Sequence, residues 1–222
     1  MLSSKTSTRD VVNVALFAAL IALFGLVPRI DLPFLAGVPI TVQTLGVMLA
    51  GLLLGPRLAA LSVLLFLFMV LLGAPFLSGG RGGLGVLFGP TVGFLLGWIP
   101  GALVVGLVYM GLTQPAQNSQ KYRVPRRGFS IFFAAALASF LGGVLVIYAL
   151  GIPMLAWRAN MALGQAAAVS LTFLPGDILK LVIAASIARA LHRQPVHVDE
   201  DEDKDKDKDK DKDKDKDKDK DG

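Results

Sequence analysis

The chain has 222 residues, 54% of them hydrophobic and none of them cysteine, and its formal net charge is +5. The charge is unevenly distributed, because residues 199–222 hold 14 acidic residues and nine lysines, whereas residues 1–198 hold 13 basic and three acidic residues. Roughly 61% of residues 1–198 are apolar, well above the ~45–50% that is usual in soluble globular domains. A soluble domain is therefore excluded, since its surface needs far more charge, and the missing cysteines exclude a disulfide framework. The sequence predicts an all-α integral membrane protein.

Six stretches are apolar enough to be predicted as transmembrane helices. They cover residues 11–27, 38–54, 58–73, 84–112, 129–150 and 163–190. The second and third are short for a bilayer core, and the fourth and sixth contain Pro90, Pro100 and Pro175, which predict tilts or kinks. We interpret the first stretch as an uncleaved helix, because five further spans follow and no cleavage site of small residues does.

The basic residues in the connections predict how the spans are oriented. With both termini in the cytoplasm, nine lysines and arginines fall on the cytoplasmic side, and only Arg29, Arg81 and Arg158 fall outside. This distribution follows the positive-inside rule. The polar, basic residues 112–128 predict a cytoplasmic loop between a four-span and a two-span part.

The composition divides the chain into two parts. Residues 1–198 are predicted to form a six-helix transmembrane domain that binds a substrate. Residues 199–222 alternate Asp and Lys after a short acidic run and contain no apolar side chain, so we expect a disordered low-complexity tail.

Several classes of function lack the residues that they need. No P-loop sequence is present, so the chain does not hydrolyse ATP by that mechanism. His192 and His197 lie beyond the last span, which excludes a histidine metal site inside the membrane. Residues 80–85 match G-x-G-x-x-G literally, but they lie between apolar spans and not between a strand and a helix of a soluble βαβ unit. We expect no enzymatic activity, no metal or cofactor bound by this chain, and no nucleic-acid partner.

Three segments interrupt the apolar pattern. They are GVPITVQTLG at 37–46, SGGRGGLGVLFGPTVG at 78–93 and LPGDILK at 174–180. The last is the most informative, because a charged residue near the centre of a span costs on the order of 2.5–3.5 kcal/mol. Asp177 and Lys180 are spaced i, i+3, so they share one helix face and are expected to pair. Pro175 and Gly176 predict a helix break beside them, as at transporter binding sites, whereas a purely structural ion pair is the alternative.

The other two segments add candidate donors to this pair. Gln43 lies at the start of the second span, and Arg81 lies among glycines that let a backbone approach a ligand closely. A solvated arginine in a flexible turn is the alternative for Arg81. Together Asp177, Lys180, Arg81 and Gln43 predict an outward-facing pocket for a small, mostly apolar ligand with one acid group and an amide-like head.

Small residues repeat along one face of the first span, at Ala15, Ala18, Ala19 and Ala22. Such faces allow helices to approach closely. They favour either packing inside this protein or docking of another membrane subunit.

The segments PITVQTLGV (39–47), GGRGGLGVLFGPTVGFLLG (79–97) and LPGDILKL (174–181) resemble the BioY family, the biotin-binding S components of energy-coupling-factor (ECF) transporters. The resemblance covers nearly all of residues 10–192. Val92 and Phe94 depart from it, since the family often has Gly and Tyr at these positions, and this leaves the pocket lining open. The charged tail is not a feature of the family.

This resemblance implies a compact six-helix fold in the cytoplasmic membrane of a bacterium or archaeon. It implies capture of biotin at the outer face, with a transmembrane coupling (T) subunit and ATP-consuming cytoplasmic subunits as partners. Asp177 and Lys180 are then expected to contact biotin, and Arg81 to take part in closure of the outer loop or to contact the carboxylate. We assign the ureido ring to Asp177 and Lys180 and the carboxylate to Arg81, while the reverse, with Lys180 on the carboxylate, stays open. Ala15, Ala18, Ala19 and Ala22 are expected to form the docking face.

Two other functions remain open at this point. The first is a self-sufficient secondary carrier or facilitator for biotin or a similar carboxylate, against which the single buried acid argues. The second is a membrane assembly factor without a ligand, against which the cost of the buried pair argues.

Overall fold

The computed structural model describes residues 7–28, 30–31, 39–113 and 128–192. Eight α-helices occupy most of them: α1 Thr8–Leu26, α2 Gln43–Leu54, α3 Pro56–Leu71, α4 Val92–Thr113, α5 Gly128–Phe140, α6 Ile147–Arg158, α7 Leu163–Leu171 and α8 Leu174–His192. A 3-10 turn covers Leu84–Phe88, and the π-helix Leu141–Val146 joins α5 to α6. The strands β1 (Ile30–Asp31) and β2 (Pro39–Ile40) pair antiparallel, with Ile30 opposite Ile40. Most of the predicted loop 112–128 and the whole of the predicted tail 199–222 lie outside the described residues.

The prediction of an all-α membrane protein is confirmed in its coarse form, whereas the predicted number of six spans stays a prediction. Three continuous helical stretches are long and apolar enough to cross a membrane: α1, α4 and the stretch that runs through α5, the π-helix and α6. The pair α7 and α8 provides a fourth if it is counted as one bent span. Helices α2 and α3 are apolar but have only 12 and 16 residues, or about 18 and 24 Å at 1.5 Å per residue.

Two predicted boundaries were wrong, and a proline lies close to each of them. The fourth span was predicted to start at residue 84, but α4 starts at Val92, because Pro90 disfavours helical backbone in the residue before it. The fifth was predicted to end at residue 150, but helix continues to Arg158 with Pro153 inside α6. Membrane helices tolerate such a proline because neighbouring groups satisfy the freed carbonyls.

The sixth span is interrupted as predicted, but at a different point. Helices α7 and α8 meet at an angle of 49° across Thr172 and Phe173, before Pro175 and not at it. Pro175 is the second residue of α8, where a missing backbone N–H costs no helical hydrogen bond. The break therefore puts Asp177 in the first turn of α8, where the positive end of the helix dipole favours a carboxylate.

Helix α4 lies at the centre of the bundle and packs against α2, α3, α5 and α6, while α8 packs against α2 and α5. Side chains such as Val47, Val63 and Val105 are completely buried between these helices. The outward faces carry exposed leucines and phenylalanines, among them Leu64 and Phe68 on α3. A helix bundle with an apolar outside is suited to a bilayer, where lipid and not water surrounds it.

Candidate ligand-binding site

Asp177 and Lys180 form the predicted ion pair inside the bundle. The Lys180 ammonium nitrogen lies 2.7 Å from Asp177 Oδ1, and the two residues are only 7% and 5% exposed. It is the only salt bridge among the side chains that the structure describes. Two opposite charges at this depth need further hydrogen bonds to offset their loss of water.

Thr44 and Tyr148 supply those hydrogen bonds from two other helices. Lys180 donates to Thr44 Oγ1 at 2.9 Å, and Thr44 in turn donates to Asp177 Oδ1 at 3.4 Å. The Tyr148 hydroxyl donates to Asp177 Oδ2 at 2.7 Å. One polar cluster thus joins the N-terminal turns of three helices, α2, α6 and α8. We call it the Asp177 cluster, and it consists of Thr44, Tyr148, Asp177 and Lys180.

The Asp177 cluster retains some capacity for hydrogen bonding. An ammonium group has three hydrogens, and Lys180 uses two of them on Asp177 and Thr44. Each carboxylate oxygen accepts about two hydrogen bonds, so Oδ1 is filled by Lys180 and Thr44, whereas Oδ2 accepts only from Tyr148. Among the described residues the cluster therefore has one donor on Lys180 and one acceptor on Asp177 to offer to a ligand.

Aromatic rings adjoin this cluster. Phe94 contacts the Tyr148 ring edge to face, with 6.0 Å between centroids, and contacts Phe173 in the same manner at 6.4 Å. All three rings are half-buried. Phe94 reaches Tyr148 because Gly151 lies beneath its ring, where a Cβ atom would overlap the ring carbons. The arrangement places an apolar surface beside an acceptor and a donor.

The structure places Gln43 beside the predicted pocket loop, with its amide fully engaged. Its Nε2 donates to the backbone oxygens of Phe76 at 2.9 Å and Ile21 at 3.4 Å, and its Oε1 accepts from the amide of Ser78 at 3.0 Å. Gln43 is 2% exposed. Its role as a ligand contact stays a prediction, and the observed contacts join α1, α2 and the loop after α3.

Arg81 lies in that same loop and is exposed. Its Nε donates to the backbone oxygen of Ser78 at 3.3 Å, and its backbone forms an isolated bridge with Leu77. Gly79, Gly80 and Gly83 have φ between 68° and 82°, a region that non-glycine residues seldom adopt, so the loop needs its glycines. Ser78 thus contacts both Gln43 and Arg81, and Thr44 next to Gln43 belongs to the Asp177 cluster. The three segments singled out in the sequence come together in space.

Comparison with known proteins identifies the family. A model of the BioY family matches residues 1–195. The chain belongs to the BioY family. The Biotin transporter BioY of Rhizobium etli is 47% identical over 185 residues, covering 83% of this chain and 94% of the relative. That of Rhodobacter capsulatus is 44% identical over 193 residues, covering 82% and 93%.

A solved BioY-like structure has the same fold. The crystal structure at 2.1 Å of the S-component for biotin from an ECF-type ABC transporter is 28% identical to this chain, with a TM-score of 0.71. The match covers 88% of this chain and 96% of the solved chain. The resemblance found in the sequence motifs is therefore confirmed for the family and for the fold.

The four alanines predicted as a docking face of this BioY chain line one apolar groove between α1 and α3. Ala18 is buried, Ala22 half-buried, and Ala15 and Ala19 are exposed. The groove has a volume of about 430 Å³, and its other walls include Leu65, Phe66, Met69 and Phe76. Ala18 and Ala22 therefore take part in internal packing, while Ala15 and Ala19 leave a concave apolar surface open beside them.

Tyr148 is the site residue that sequence reasoning missed in this BioY chain. It was one tyrosine in a predicted span whose other residues are nearly all apolar, and a lone tyrosine is compatible with an interfacial or core position. Thr44 was named in its segment of the sequence but was not chosen as a site residue.

The structure also locates the two residues that depart from the family pattern. Val92 is buried in helix packing, and Phe94 contacts Tyr148. Among the described residues no group of three His, Asp or Glu side chains is arranged to hold a metal.

Proposed function

We propose that this chain is the biotin-binding S component of an ECF-type vitamin transporter. The single observation that carries the proposal is the Asp177 cluster, a buried ion pair that keeps one acceptor and one donor beside an aromatic surface. Membership of the BioY family and the biotin-related names of its members support it.

The chemistry of biotin suits this cluster. Its ureido ring presents an N–H donor next to a carbonyl acceptor, which complements Asp177 Oδ2 and the remaining hydrogen of Lys180. Its fused tetrahydrothiophene ring is apolar and suits the surface formed by Phe94, Tyr148 and Phe173. Arg81, exposed in the glycine-rich loop, is then the group for the valerate carboxylate, because a guanidinium binds a carboxylate through two hydrogen bonds. We assign the ureido ring to the ion pair because its polarity matches both members at once.

We further propose six membrane segments with both termini in the cytoplasm of a bacterium or archaeon. The six segments are α1, α2, α3, α4, the α5–α6 stretch and the bent pair α7–α8. The positive-inside count supports this orientation. Helices α2 and α3, at about 18 and 24 Å, would cross only with neighbours that shield their ends, because the apolar core is roughly 30 Å thick.

The partners in this proposal are a transmembrane coupling subunit and cytoplasmic ATPase subunits. The chain itself has no P-loop, so energy from ATP has to come from other subunits, and we propose no catalytic role for it. The apolar groove along Ala15, Ala18, Ala19 and Ala22 supports docking of a membrane helix, since small residues allow close approach of backbones.

Calorimetric titration of the purified, detergent-solubilised protein with biotin tests the binding function. We expect tight binding by the wild type and a loss of about 100-fold or more in Asp177→Asn and Lys180→Ala, because each removes hydrogen bonds between charged groups and the ligand. Ser186→Ala is the matched control, since Ser186 is an exposed residue of the same helix whose hydroxyl bonds only to Val182 O. A folded wild type that does not bind biotin would overturn the proposal.

Reconstitution in vesicles tests the partners. We expect Ala19→Leu to bind biotin normally but to lose ATP-driven uptake with coupling and ATPase subunits, because a leucine would fill the groove. Biotin uptake at the full rate without any added subunit would instead support the self-sufficient carrier.

A further inference from the structure

We propose that Tyr148 determines specificity for the ureido ring by holding the Asp177 carboxylate in the orientation that receives a ligand N–H. This inference rests on the proposed biotin-binding function. Tyr148 is assigned as a positioning residue, because it acts on the ligand through Asp177.

The hydrogen-bonding pattern around Asp177 supports this role. Lys180 and Thr44 both contact Oδ1, at 2.7 and 3.4 Å, so neither of them supports the second carboxylate oxygen, Oδ2. Tyr148 is the only described residue that contacts Oδ2, at 2.7 Å. With both oxygens held, the remaining lone pair of Oδ2 has a fixed direction, and a fixed acceptor discriminates between ligands better than a mobile one does.

The π-helix before α6 sets the position of this hydroxyl. The π-helix Leu141–Val146 ends directly before α6, in which Tyr148 is the second residue. Its glycines Gly142 and Gly143 pack closely against Val105 of α4 and Met48 of α2. A π segment accommodates one extra residue, so the helix beyond it is rotated by about 100° relative to an uninterrupted α-helix. Without that rotation the Tyr148 side chain would point in a direction about 100° from its present one, away from the geometry that places its hydroxyl 2.7 Å from Asp177 Oδ2. Such segments are frequent at functional sites.

The Tyr148 ring is held independently of its hydroxyl. It contacts Phe94 edge to face, and Phe94 in turn contacts Phe173. Tyr148→Phe therefore keeps the ring and its packing and removes the hydrogen bond to Asp177 alone. Tyr109→Phe on α4 is the matched control, because Tyr109 is a buried tyrosine that lines a different cavity, near His192.

The experiment measures binding of three ligands to wild type, Tyr148→Phe and Tyr109→Phe. The ligands are biotin, an analogue methylated on its ureido nitrogens and biotin methyl ester. We expect Tyr148→Phe to bind biotin about 10- to 100-fold more weakly, as for loss of a hydrogen bond to a charged group. Its preference for biotin over the methylated analogue should fall at least about tenfold, while its preference for biotin over the methyl ester stays as in wild type. Tyr109→Phe should behave as wild type with all three ligands.

A double-mutant cycle tests whether Tyr148 acts through Asp177. In the Asp177→Asn background we expect Tyr148→Phe to cause less than about a twofold further change, because the carboxylate that it positions is gone. Unchanged biotin affinity in Tyr148→Phe, or an equal loss for all three ligands, would overturn the inference while leaving the proposed function in place. Failure of the wild type to bind biotin would overturn both.

Discussion

Gln43 and Thr44 are neighbours at the start of α2, yet they belong to two polar clusters of different kinds. Gln43 bonds only to backbone groups, those of Ile21, Phe76 and Ser78, and these bonds use both of its amide hydrogens and its oxygen. Thr44 bonds to the charged side chains of Asp177 and Lys180, and that cluster keeps a donor and an acceptor for a ligand.

The difference separates a polar cluster that joins the backbone of several elements from the one that we propose to bind a ligand. Both clusters are buried, and both sit on polar residues that sequence reasoning selected together. Gln43 uses both of its amide hydrogens on backbone carbonyls and its oxygen on a backbone amide, and so it joins α1, α2 and the loop after α3, because leaving such buried groups unpaired is costly. Lys180 and Asp177, in contrast, keep one donor hydrogen and one acceptor position that are available to a ligand.

The largest expected effect is a loss of stability when Gln43 is replaced. Gln43→Met keeps the length of the side chain and removes three hydrogen bonds, which leaves the carbonyl of Phe76 and the amide of Ser78 without a partner, while the Ile21 carbonyl keeps its bond within α1. We expect the free energy of unfolding to fall by about 3 kcal/mol or more, with the biotin affinity of the folded fraction little changed. Unfolding of the detergent-solubilised protein measures this. Normal stability with lost affinity would instead make Gln43 the ligand contact that the sequence predicted.

A steric change in the aromatic surface should have a smaller effect. In Gly151→Ala the new methyl group overlaps the ring of Phe94 and displaces it from Tyr148. Overpacking of this kind costs about 1–3 kcal/mol of stability, and we expect biotin affinity to fall as well. Gly164→Ala on α7 is the control, since nothing lies within 4 Å of its would-be Cβ. Equal effects in the two variants would show that Phe94 does not contribute to the site.

Thr44→Val tests the contribution of Thr44 to the Asp177 cluster, because valine has nearly the same shape as threonine but no hydroxyl group. The variant loses a hydroxyl that accepts from Lys180 and donates to Asp177. We expect about tenfold weaker biotin binding, or ~1.4 kcal/mol, and restoration by Thr44→Ser, which keeps the hydroxyl. A variant as stable as wild type that binds biotin equally well would remove Thr44 from the binding cluster.

The smallest effect is expected at Arg81. Because Arg81 is exposed, the contact that we propose with the valerate carboxylate should be worth up to about 1 kcal/mol, or about fivefold in affinity, and should weaken with salt. Arg81→Gln should therefore bind biotin at most about fivefold more weakly at low salt and nearly as wild type at high salt. A loss of 100-fold would mean that the loop buries Arg81 around the ligand.

The sequence by itself determined what depends on burial in lipid and on local spacing. It determined the all-α class, because too little charge remains in residues 1–198 for a soluble surface. It also determined the pairing of Asp177 with Lys180, because two charges one turn apart in an apolar span must satisfy each other. The motifs around this pair were enough to identify the family.

The tertiary structure alone decided which other residues complete the pair. Tyr148 and Thr44 lie 29 and 133 residues from Asp177 in the chain, and only helix packing brings their hydroxyls to the carboxylate. It also decided that Gln43 bonds to backbone, because the carbonyls of Ile21 and Phe76 and the amide of Ser78 reach it only through packing of α1 and of the loop after α3. The local sequence determines on which helix a polar side chain lies. The packing of helices that are distant in the chain determines which groups that side chain contacts.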